Sequence, residues 1–434
     1  MPILVPTLPK QLSRREFAAA ALAFGAAARA FGAAKTGGVH SKSTNTKSID
    51  EALRMGLQRH GIPCVTAIVS TKDRITYQGA FGKRDSLSGI DVKLDSLFAI
   101  ASMTKAITST AALQLVDQGK VSLTEPVAKH LPQLANIEVL TGYDAAGKAI
   151  LRPARTPLTL KHLLTHTSGF CYDNWSDEMV KWENSLAKGT NPTTGIAPLV
   201  PLMFEPGTRW QYGYSTDWTG KLVETVSGLT LEQYFQKNIL QPLGMNDTSF
   251  ILTADKFDRL VTGADRPIVD GKTDGPLKPR ARTMPTTPTA FNGGGGLYSS
   301  APDYLKFTQM ILRHGRGPNG EVILQPKTVA RMSSNQIGNL TAGRLKSQRA
   351  AISSDVDLHA GQSDAWGLGF LINRVAYPGG RSAGSLAWAG INNTFYWIDP
   401  KRGVSAVIMM QFLPFVDKEA VGLLTDFEHA VYSA

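Results

Sequence analysis

A serine followed three residues later by a lysine, at the start of a long uncharged segment, constrains this chain more than any other feature. Residues 96–101 form a short, mainly apolar segment that leads to Ser102, and residues 106–116 carry no charge, which predicts a buried helix ending at Gly119. Positions three apart share one face of a helix, so the hydroxyl of Ser102 and the amine of Lys105 are predicted to be neighbours.

This pairing is typical of a nucleophile and its base. The N-terminal end of a helix supplies a partial positive charge and free backbone N–H groups beside the serine. A lysine can take the place of histidine in activating a serine hydroxyl. We therefore interpret Ser102 and Lys105 as candidate catalytic residues.

Two further motifs match a serine nucleophile by spacing alone. Ser185 and Lys188 repeat the serine–lysine spacing, but they lie in a polar stretch that runs into a loop, and no buried helix follows. Residues 380–384 have the spacing of a nucleophile elbow, which needs a strand before it and a helix after it. Since Pro378 and Gly379 precede this segment and a strand-like run follows it, we interpret it as a glycine-rich turn.

Composition limits the classes of function. At 434 residues, with 42% hydrophobic and 19% charged residues, the chain is expected to form a large globular core. The net charge of +11 is spread along the chain without a basic run, so nucleic-acid binding has little support and a general attraction to anionic surfaces is favoured. No apolar run approaches the ~20 residues of a spanning helix, so no integral membrane segment is expected in the mature chain.

The cysteines and histidines show no metal-binding pattern, and no metal or other cofactor is predicted. The two cysteines, Cys64 and Cys171, are too few for a disulfide framework, although export would permit a bridge. The apolar run after Cys64 favours a buried thiol. His162 and His166 stand four residues apart without an accompanying glutamate, which favours a structural role.

The first thirty residues resemble an export signal. Arg14 and Arg15 precede a weakly apolar, alanine-rich stretch, as in twin-arginine signals, and residues 28–30 offer a small-x-small cleavage site. We expect the export machinery to remove residues 1–30, residues 31–47 to form a linker, and the mature protein to be periplasmic or secreted. The alternative is a frayed alanine-rich helix at a disordered terminus.

Strand-like segments occur near both ends of the remaining chain, and mainly helical, loop-rich sequence lies between them. This order predicts an α/β (α+β) fold in which helices flank an antiparallel sheet built from both chain ends, with a large, mainly helical insertion. The predicted domain covers residues 48–434, with an α/β lobe at about residues 48–118 and 310–434 and a mainly helical lobe at about residues 119–309. Predicted strands cover residues 63–71, 74–82, 137–141, 148–152, 366–375, 394–398 and 403–411, and predicted helices include residues 49–60 and 416–432.

A serine–lysine pair needs a second group that handles protons, because the lysine must lose its charge and the leaving group must gain a proton. Tyr212 is the best candidate, since it lies on a loop beyond the turn at Pro206 and Gly207 and ahead of a predicted helix. The chain has 11 tyrosines, so the neighbouring sequence blocks decide the choice.

Five ordered blocks of the chain resemble the serine β-lactamase-like superfamily. This superfamily includes class C β-lactamases and DD-peptidases, and the chain is more closely similar to family VIII carboxylesterases. The resemblance covers roughly residues 50–430. The blocks are residues 102–105, 163–169, 206–212, 293–303 and 388–390.

The resemblance implies roles for individual residues and a serine β-lactamase/DD-peptidase-like fold. It implies that Ser102 is the nucleophile and that Lys105 and Tyr212 share the general-base and general-acid work. It further implies that the backbone N–H groups of Ser102 and Ile391 form the oxyanion hole.

Two departures from the β-lactamase pattern concern the substrate. The resemblance implies that Trp388, Ala389 and Gly390 edge the substrate site on a strand, where β-lactamases have Lys-Thr-Gly. The missing lysine is the cation that would meet the carboxylate of a penicillin or cephalosporin, a contact of about 1.5–3 kcal/mol. Tyr214 stands where β-lactamases usually have asparagine. Both changes favour esters over lactams.

We therefore predict an exported serine hydrolase, a carboxylesterase that cleaves a small-molecule ester with a short acyl chain through an acyl-enzyme on Ser102. The alternatives within the superfamily are an amide hydrolase, an acyltransferase and a weak β-lactamase or DD-peptidase, because one acyl-enzyme can react with water, an amine or an alcohol. A penicillin-receptor-like sensor that is acylated without turnover is an alternative from another class. The presence of Ser102, Lys105 and Tyr212 together disfavours the sensor.

Overall fold

An antiparallel sheet of eight strands, built from both ends of the chain, is the main feature of the computed structural model, which describes residues 46–187, 190, 195–269 and 272–433. The predicted signal, residues 1–30, lies outside the described residues, and so does the predicted linker except for Thr46 and Lys47. These two residues belong to the first helix that the structure describes.

The sheet has the order β4-β5-β6-β7-β8-β1-β2-β3, and every neighbouring pair is antiparallel. The first and last parts of the chain therefore meet at the centre of the sheet, where β1 pairs with β8, as the sequence predicts. The strands are β1 (Cys64–Thr71), β2 (Ile75–Asp85), β3 (Ile90–Asp91), β4 (Ala365–Trp366), β5 (Leu371–Ile372), β6 (Leu386–Gly390), β7 (Thr394–Asp399) and β8 (Val404–Met409).

Eleven α-helices occur among the described residues, most of them short. A two-stranded hairpin, Glu138–Tyr143 with Ala149–Pro153, confirms the predicted inserted hairpin. The helices are α1 (Thr46–His60), α2 (Thr104–Asp117), α3 (Leu160–Leu164), α4 (Asp177–Asn184), α5 (Ser215–Ser227), α6 (Leu231–Phe235), α7 (Gln241–Leu243), α8 (Ala254–Asp258), α9 (Ala301–Leu312), α10 (Pro326–Met332) and α11 (Lys418–Ser433).

Helices cover the sheet because its central strands are buried along nearly their whole length. Strand β7 is buried at every position, and its alternating side chains meet different helices. Trp397 packs against Phe427 of α11, with ring centroids 5.5 Å apart, and Tyr396 packs against Tyr304 of α9, at 5.1 Å. A sheet buried on both sides is thus enclosed by the C-terminal helix and by the helix that follows the glycine-rich loop at residues 293–296.

The predicted single strand at residues 366–375 is wrong. The structure has two short strands there, β4 and β5, which pair with each other across a tight turn. The backbone of Gly369 has φ = +109°, a conformation that favours glycine, and Gly367 donates a backbone hydrogen bond to Phe370. The sequence Gly-Leu-Gly therefore forms a chain reversal where hydrophobic patterning alone predicts one continuous strand.

The segment at residues 380–384 is a turn, as predicted, and it holds a buried ion pair. Arg381 lies against Glu428 of α11, with Nε to Oε1 at 2.9 Å and Nη2 to Oε2 at 2.5 Å. Both side chains are less than 8% exposed. Burial favours a higher pKa for Glu428, but the charge and hydrogen bonds of Arg381 outweigh this effect and lower it. This segment therefore fastens α11 to the sheet.

We expect Glu428→Gln to lower the free energy of unfolding by about 3 kcal/mol at pH 7, because it leaves the Arg381 charge buried and uncompensated. The folded-state pKa of Glu428 is depressed, so its contribution is present above the ordinary glutamate pKa of about 4.3 and is lost as the pH falls below that value. Urea unfolding of both proteins from about pH 3 to about pH 7, a range that spans the ordinary glutamate pKa of about 4.3, measures this effect. A constant difference across that range would contradict the assignment.

Candidate active site

Ser102 lies in a 3-10 turn, Ala101–Met103, that leads directly into α2. The residue before it, Ala101, has φ = +43°, a left-handed conformation that costs a residue with a Cβ about 1–2 kcal/mol. Such strain persists only where the surrounding structure imposes it. The Ser102 side chain is half-buried and thus accessible from one side, as a nucleophile must be.

Lys105 is buried on α2, with 2% of its surface exposed, and its Nζ has three oxygen neighbours. It lies 3.3 Å from Ser102 Oγ, 3.2 Å from the hydroxyl of Tyr172 and 2.5 Å from the backbone carbonyl of Gly294. An ammonium has three N–H groups and can satisfy all three acceptors, while a neutral amine can accept the Ser102 proton and donate to the other two. The predicted contact between Ser102 and Lys105 is present.

Tyr212 approaches the same lysine through its ring. The Nζ of Lys105 lies 4.7 Å from the Tyr212 ring centroid, and the Tyr212 hydroxyl accepts a hydrogen bond of 3.1 Å from Trp388 Nε1. An indole N–H can only donate, so the Tyr212 oxygen accepts there and its own proton is directed elsewhere. The structure thus brings the Tyr212 ring to Lys105, and Trp388 orients the Tyr212 oxygen.

Trp388 belongs to β6 and is almost fully buried, at 4% exposure. Its ring packs against Trp366, with centroids 4.8 Å apart, and against Tyr212, at 4.9 Å. The sequence predicts an apolar wall here, and the structure adds a hydrogen bond to Tyr212. Ala389, the next residue, is buried at 2% exposure.

The end of β6 lies against the turn that carries Ser102. A Cβ on Gly390 would collide with the carbonyl oxygen of Ile100, so only glycine allows this approach. Ile391 follows directly and is half-buried. The two residues predicted to supply the oxyanion hole, Ser102 and Ile391, therefore come from segments that are in direct contact.

Sequence reasoning missed two residues of this cluster, Tyr172 and Asp217. Tyr172 lies on the loop after α3, and its hydroxyl donates to Asp217 Oδ2 at 3.1 Å. Asp217 lies in the first turn of α5 and is 1% exposed. The available signal was an acidic residue five positions after Tyr212, at the start of a predicted helix where residues 215–220 carry no other charge.

Burial dominates the titration of this cluster. It raises the pKa of Asp217, although the charge of Lys105 and the hydrogen bond from Tyr172 oppose this effect. Burial, together with the nearby Asp217 charge, also holds the pKa of Tyr172 well above its usual value. His166 is fully buried, and both burial and the Lys105 charge hold its pKa well below the usual value. A neutral imidazole therefore faces the Tyr212 ring, with centroids 4.7 Å apart.

The remaining motifs have structural roles. His162 accepts a hydrogen bond from the backbone of Thr159 and caps α3, as a structural role predicts. Ser185 Oγ donates to the Trp182 carbonyl at the end of α4, and Lys188 lies outside the described residues. Cys64 and Cys171 are free, buried thiols.

Over the part of the chain that the structure describes, no group of three or more His, Cys, Asp or Glu side chains could hold a metal ion. Within the same residues, no helix is long and apolar enough to cross a membrane.

Comparison with known proteins identifies several relatives that match most of this chain. Residues 49–429 match the β-lactamase family. Monacolin J acid methylbutanoyltransferase of Aspergillus terreus is 32% identical over 407 residues, covering 89% of this chain and 95% of that protein. Lovastatin esterase of Penicillium rubens is 32% identical over 401 residues, covering 88% and 96%.

Solved structures agree with these matches. Unliganded simvastatin synthase from Aspergillus terreus aligns with a TM-score of 0.74 at 29% identity, covering 89% of this chain and 97% of that one. EstCE1, a hydrolase with promiscuous acyltransferase activity, aligns with a TM-score of 0.66 at 22% identity, covering 89% and 99%. The second likeness concerns the fold alone.

We expect Lys105→Ala and Tyr212→Phe each to lower kcat/KM for p-nitrophenyl butyrate at least ~100-fold, the usual scale of acid–base catalysis. The double mutant should be far from additive, because the two residues act on one proton. Tyr234→Phe is a matched control: this tyrosine is 3% exposed, and its hydroxyl has no hydrogen-bond partner among the described residues. A near-normal rate in Tyr212→Phe would transfer the role to Tyr172 or Tyr214.

Proposed function

Because this chain belongs to the β-lactamase family, we propose that it is a serine acyltransferase and esterase that forms an acyl-enzyme on Ser102. The acyl group comes from an ester-type donor and passes to an alcohol, with water as the competing acceptor. The observation that carries the proposal is the half-buried Ser102 hydroxyl, 3.3 Å from a buried lysine amine.

In the first half-reaction, the Ser102 oxygen attacks the donor carbonyl while its proton moves to the neutral amine of Lys105 or, through Tyr212, to the same buried group. The carbonyl oxygen becomes an oxyanion, which the N–H groups of Ser102 and Ile391 stabilise. The proton then moves to the departing alkoxide, and the acyl–oxygen bond of the donor breaks. In the second half-reaction, an acceptor alcohol loses its proton to the same pair and attacks the acyl carbonyl carbon. The bond between that carbon and Ser102 Oγ then breaks, and the proton passes to Ser102 Oγ, which regenerates the free hydroxyl.

The surroundings of Ser102 and Lys105 favour an organic acceptor over water. Aromatic rings from four separate segments pack together around Tyr172 and Tyr212, whose rings lie against the Lys105 amine, and this buried apolar cluster limits the access of water to the lysine. Two relatives carry out acyl chemistry by name, one as a methylbutanoyltransferase and one as an esterase, and both match nearly the whole domain. These relatives support transfer as the main activity and hydrolysis as the accompanying one. The rings are Tyr172, Trp175, Tyr212, Trp366 and Trp388.

We expect the enzyme, supplied with p-nitrophenyl butyrate and a millimolar primary alcohol, to form the butyrate ester of that alcohol faster than free butyrate. The physical reason is that the apolar cluster beside Lys105 disfavours water relative to an organic alcohol, although water is in large molar excess. Gas chromatography of both products measures the partition. Free butyrate as the sole product would favour the plain carboxylesterase, and one stoichiometric burst without turnover would favour the acylated sensor.

Ser102→Ala should lower the rate by several orders of magnitude and prevent butyrylation of the protein, seen by intact mass. Ser185→Ala and Ser382→Ala serve as controls and should stay near normal. The Ser185 hydroxyl donates to the Trp182 carbonyl at the end of α4, and Ser382 lies in the turn at residues 380–384, where its backbone N–H donates to Asp399. Loss of activity in a folded Ser382→Ala would revive the nucleophile-elbow interpretation.

We expect esters to be preferred over β-lactams by at least ~100-fold in kcat/KM, about 2.7 kcal/mol in transition-state binding. A lactam must pair its carboxylate on binding, and Trp388 replaces the lysine that would do so. Rates with p-nitrophenyl butyrate and nitrocefin provide the comparison. Equal efficiency on the two substrates would instead place this enzyme functionally among the β-lactamases.

A further inference from the structure

Asp217 is a carboxyl group that the proposed reaction leaves unused, and its burial requires an explanation. Only 1% of its surface is exposed, so it cannot contact a substrate. Its oxygens accept a hydrogen bond from Tyr172 at 3.1 Å and another from the backbone N–H of Gly294 at 3.3 Å. The N-terminal end of α5 adds a favourable partial charge. These contacts favour a buried carboxylate, but a cation that lies near it makes no direct contact with it.

That cation is Lys105, and Tyr172 joins the two. The Tyr172 hydroxyl donates its single proton to Asp217, so its oxygen lone pair faces the Lys105 Nζ at 3.2 Å. The order of donors is therefore fixed: the amine donates to the phenol oxygen and the phenol donates to the carboxylate. A negative charge is thereby linked to the lysine through one hydroxyl.

The backbone of Gly294 makes a second bridge between the same groups. Its carbonyl accepts from Lys105 at 2.5 Å, and its N–H donates to Asp217. A Cβ at this position would lie within 2.5–2.9 Å of the Asp217 carboxylate, so glycine is required for the close approach. Two independent bridges therefore hold one amine and one carboxylate in a fixed arrangement.

We propose that Asp217 is the positioning residue and counter-charge for Lys105, acting through Tyr172. This inference rests on the proposed function, in which Lys105 receives the proton of Ser102. When the Ser102 O–H bond breaks, the proton forms a third N–H bond on Lys105 and creates an ammonium in a buried site. The Asp217 carboxylate compensates that charge, and the two bridges keep the amine directed at Ser102. No proton leaves Asp217 or Tyr172 during the reaction.

The test is Asp217→Asn in the full-length enzyme, which keeps the size and an acceptor for Tyr172 but removes the charge. We expect kcat for p-nitrophenyl butyrate to fall at least about tenfold while KM stays within about threefold, since one pK unit of lost charge stabilisation is a tenfold effect. The pH profile of kcat/KM should move to lower pH, because removing a negative charge from a buried cluster disfavours the protonated, positively charged form of that cluster. The other titratable groups facing Lys105 are Tyr172, Tyr212 and His166.

A structural role alone would not move the pH profile. Asp303→Asn is the matched control: Asp303 is also buried in the first turn of a helix, α9, and accepts backbone hydrogen bonds from Asp247 and Thr248. Its kcat per folded molecule and its pH profile should equal those of the wild type. An Asp217→Asn enzyme with kcat and pH profile like those of this control would overturn the proposal.

Tyr172→Phe removes the hydroxyl that links Lys105 to Asp217 without changing the charge of Asp217. It tests the proposal if Asp217→Asn does not fold. We expect kcat to fall about tenfold, which is again the effect of about one pK unit. Adding Asp217→Asn to Tyr172→Phe should lower kcat little further, because both substitutions interrupt the same interaction. A Tyr172→Phe enzyme within threefold of wild-type kcat would also overturn the proposal. Ser102→Ala distinguishes a failure of the proposed function from a failure of this inference. If Ser102→Ala stays active, the proposed function itself is wrong. If Ser102→Ala is inactive while Asp217→Asn has normal activity, only this inference is wrong.

Discussion

The burial of one lysine organises this molecule. Removing an ammonium from water costs several kcal/mol unless every N–H group finds an acceptor. The three acceptors of Lys105 come from three distant parts of the chain: the turn before α2, the loop after α3 and the glycine-rich loop before α9. Each of these segments must therefore fold correctly before the lysine is satisfied, and the same contacts hold its amine against Ser102.

Close backbone packing makes this arrangement possible. The glycine-rich loop lies directly on α5, where a Cβ on Gly293 would come within 3.0 Å of Gly220, and on α2, where Thr108 donates to the Gly293 carbonyl at 2.7 Å. Two helices and a loop can approach so closely only because glycine stands at the contacts. This close packing places the backbone of Gly294 within hydrogen-bond distance of both Lys105 and Asp217.

Trp388 links the sheet to the candidate active site. It pairs with Tyr396 across β6 and β7, in the layer that also contacts α9, and its indole N–H reaches the Tyr212 hydroxyl. A lysine at this position would offer a charge to an anionic substrate, whereas tryptophan offers an apolar surface and a single directed donor. The proposed preference for neutral acyl donors would thus depend on the same side chain that orients Tyr212.

Local sequence was sufficient for the features that depend on near neighbours. The Ser102–Lys105 contact follows from helical spacing, and the central strands follow from long apolar runs, because these patterns act over a few residues. The antiparallel sheet from both chain ends followed from the order of such segments. Resemblance, and not spacing, brought Tyr212 and Trp388 to attention.

Tertiary structure alone decided the electrostatics of the site. Tyr172 and Asp217 lie 45 positions apart and look like ordinary residues of a loop and a helix, and nothing local indicates that they share a hydrogen bond or that Gly294 contacts both Asp217 and Lys105. The break between β4 and β5 depended likewise on one glycine with positive φ. Hydrophobic periodicity reports which face of an element is buried, but the partners of a buried polar group are set by how distant elements pack.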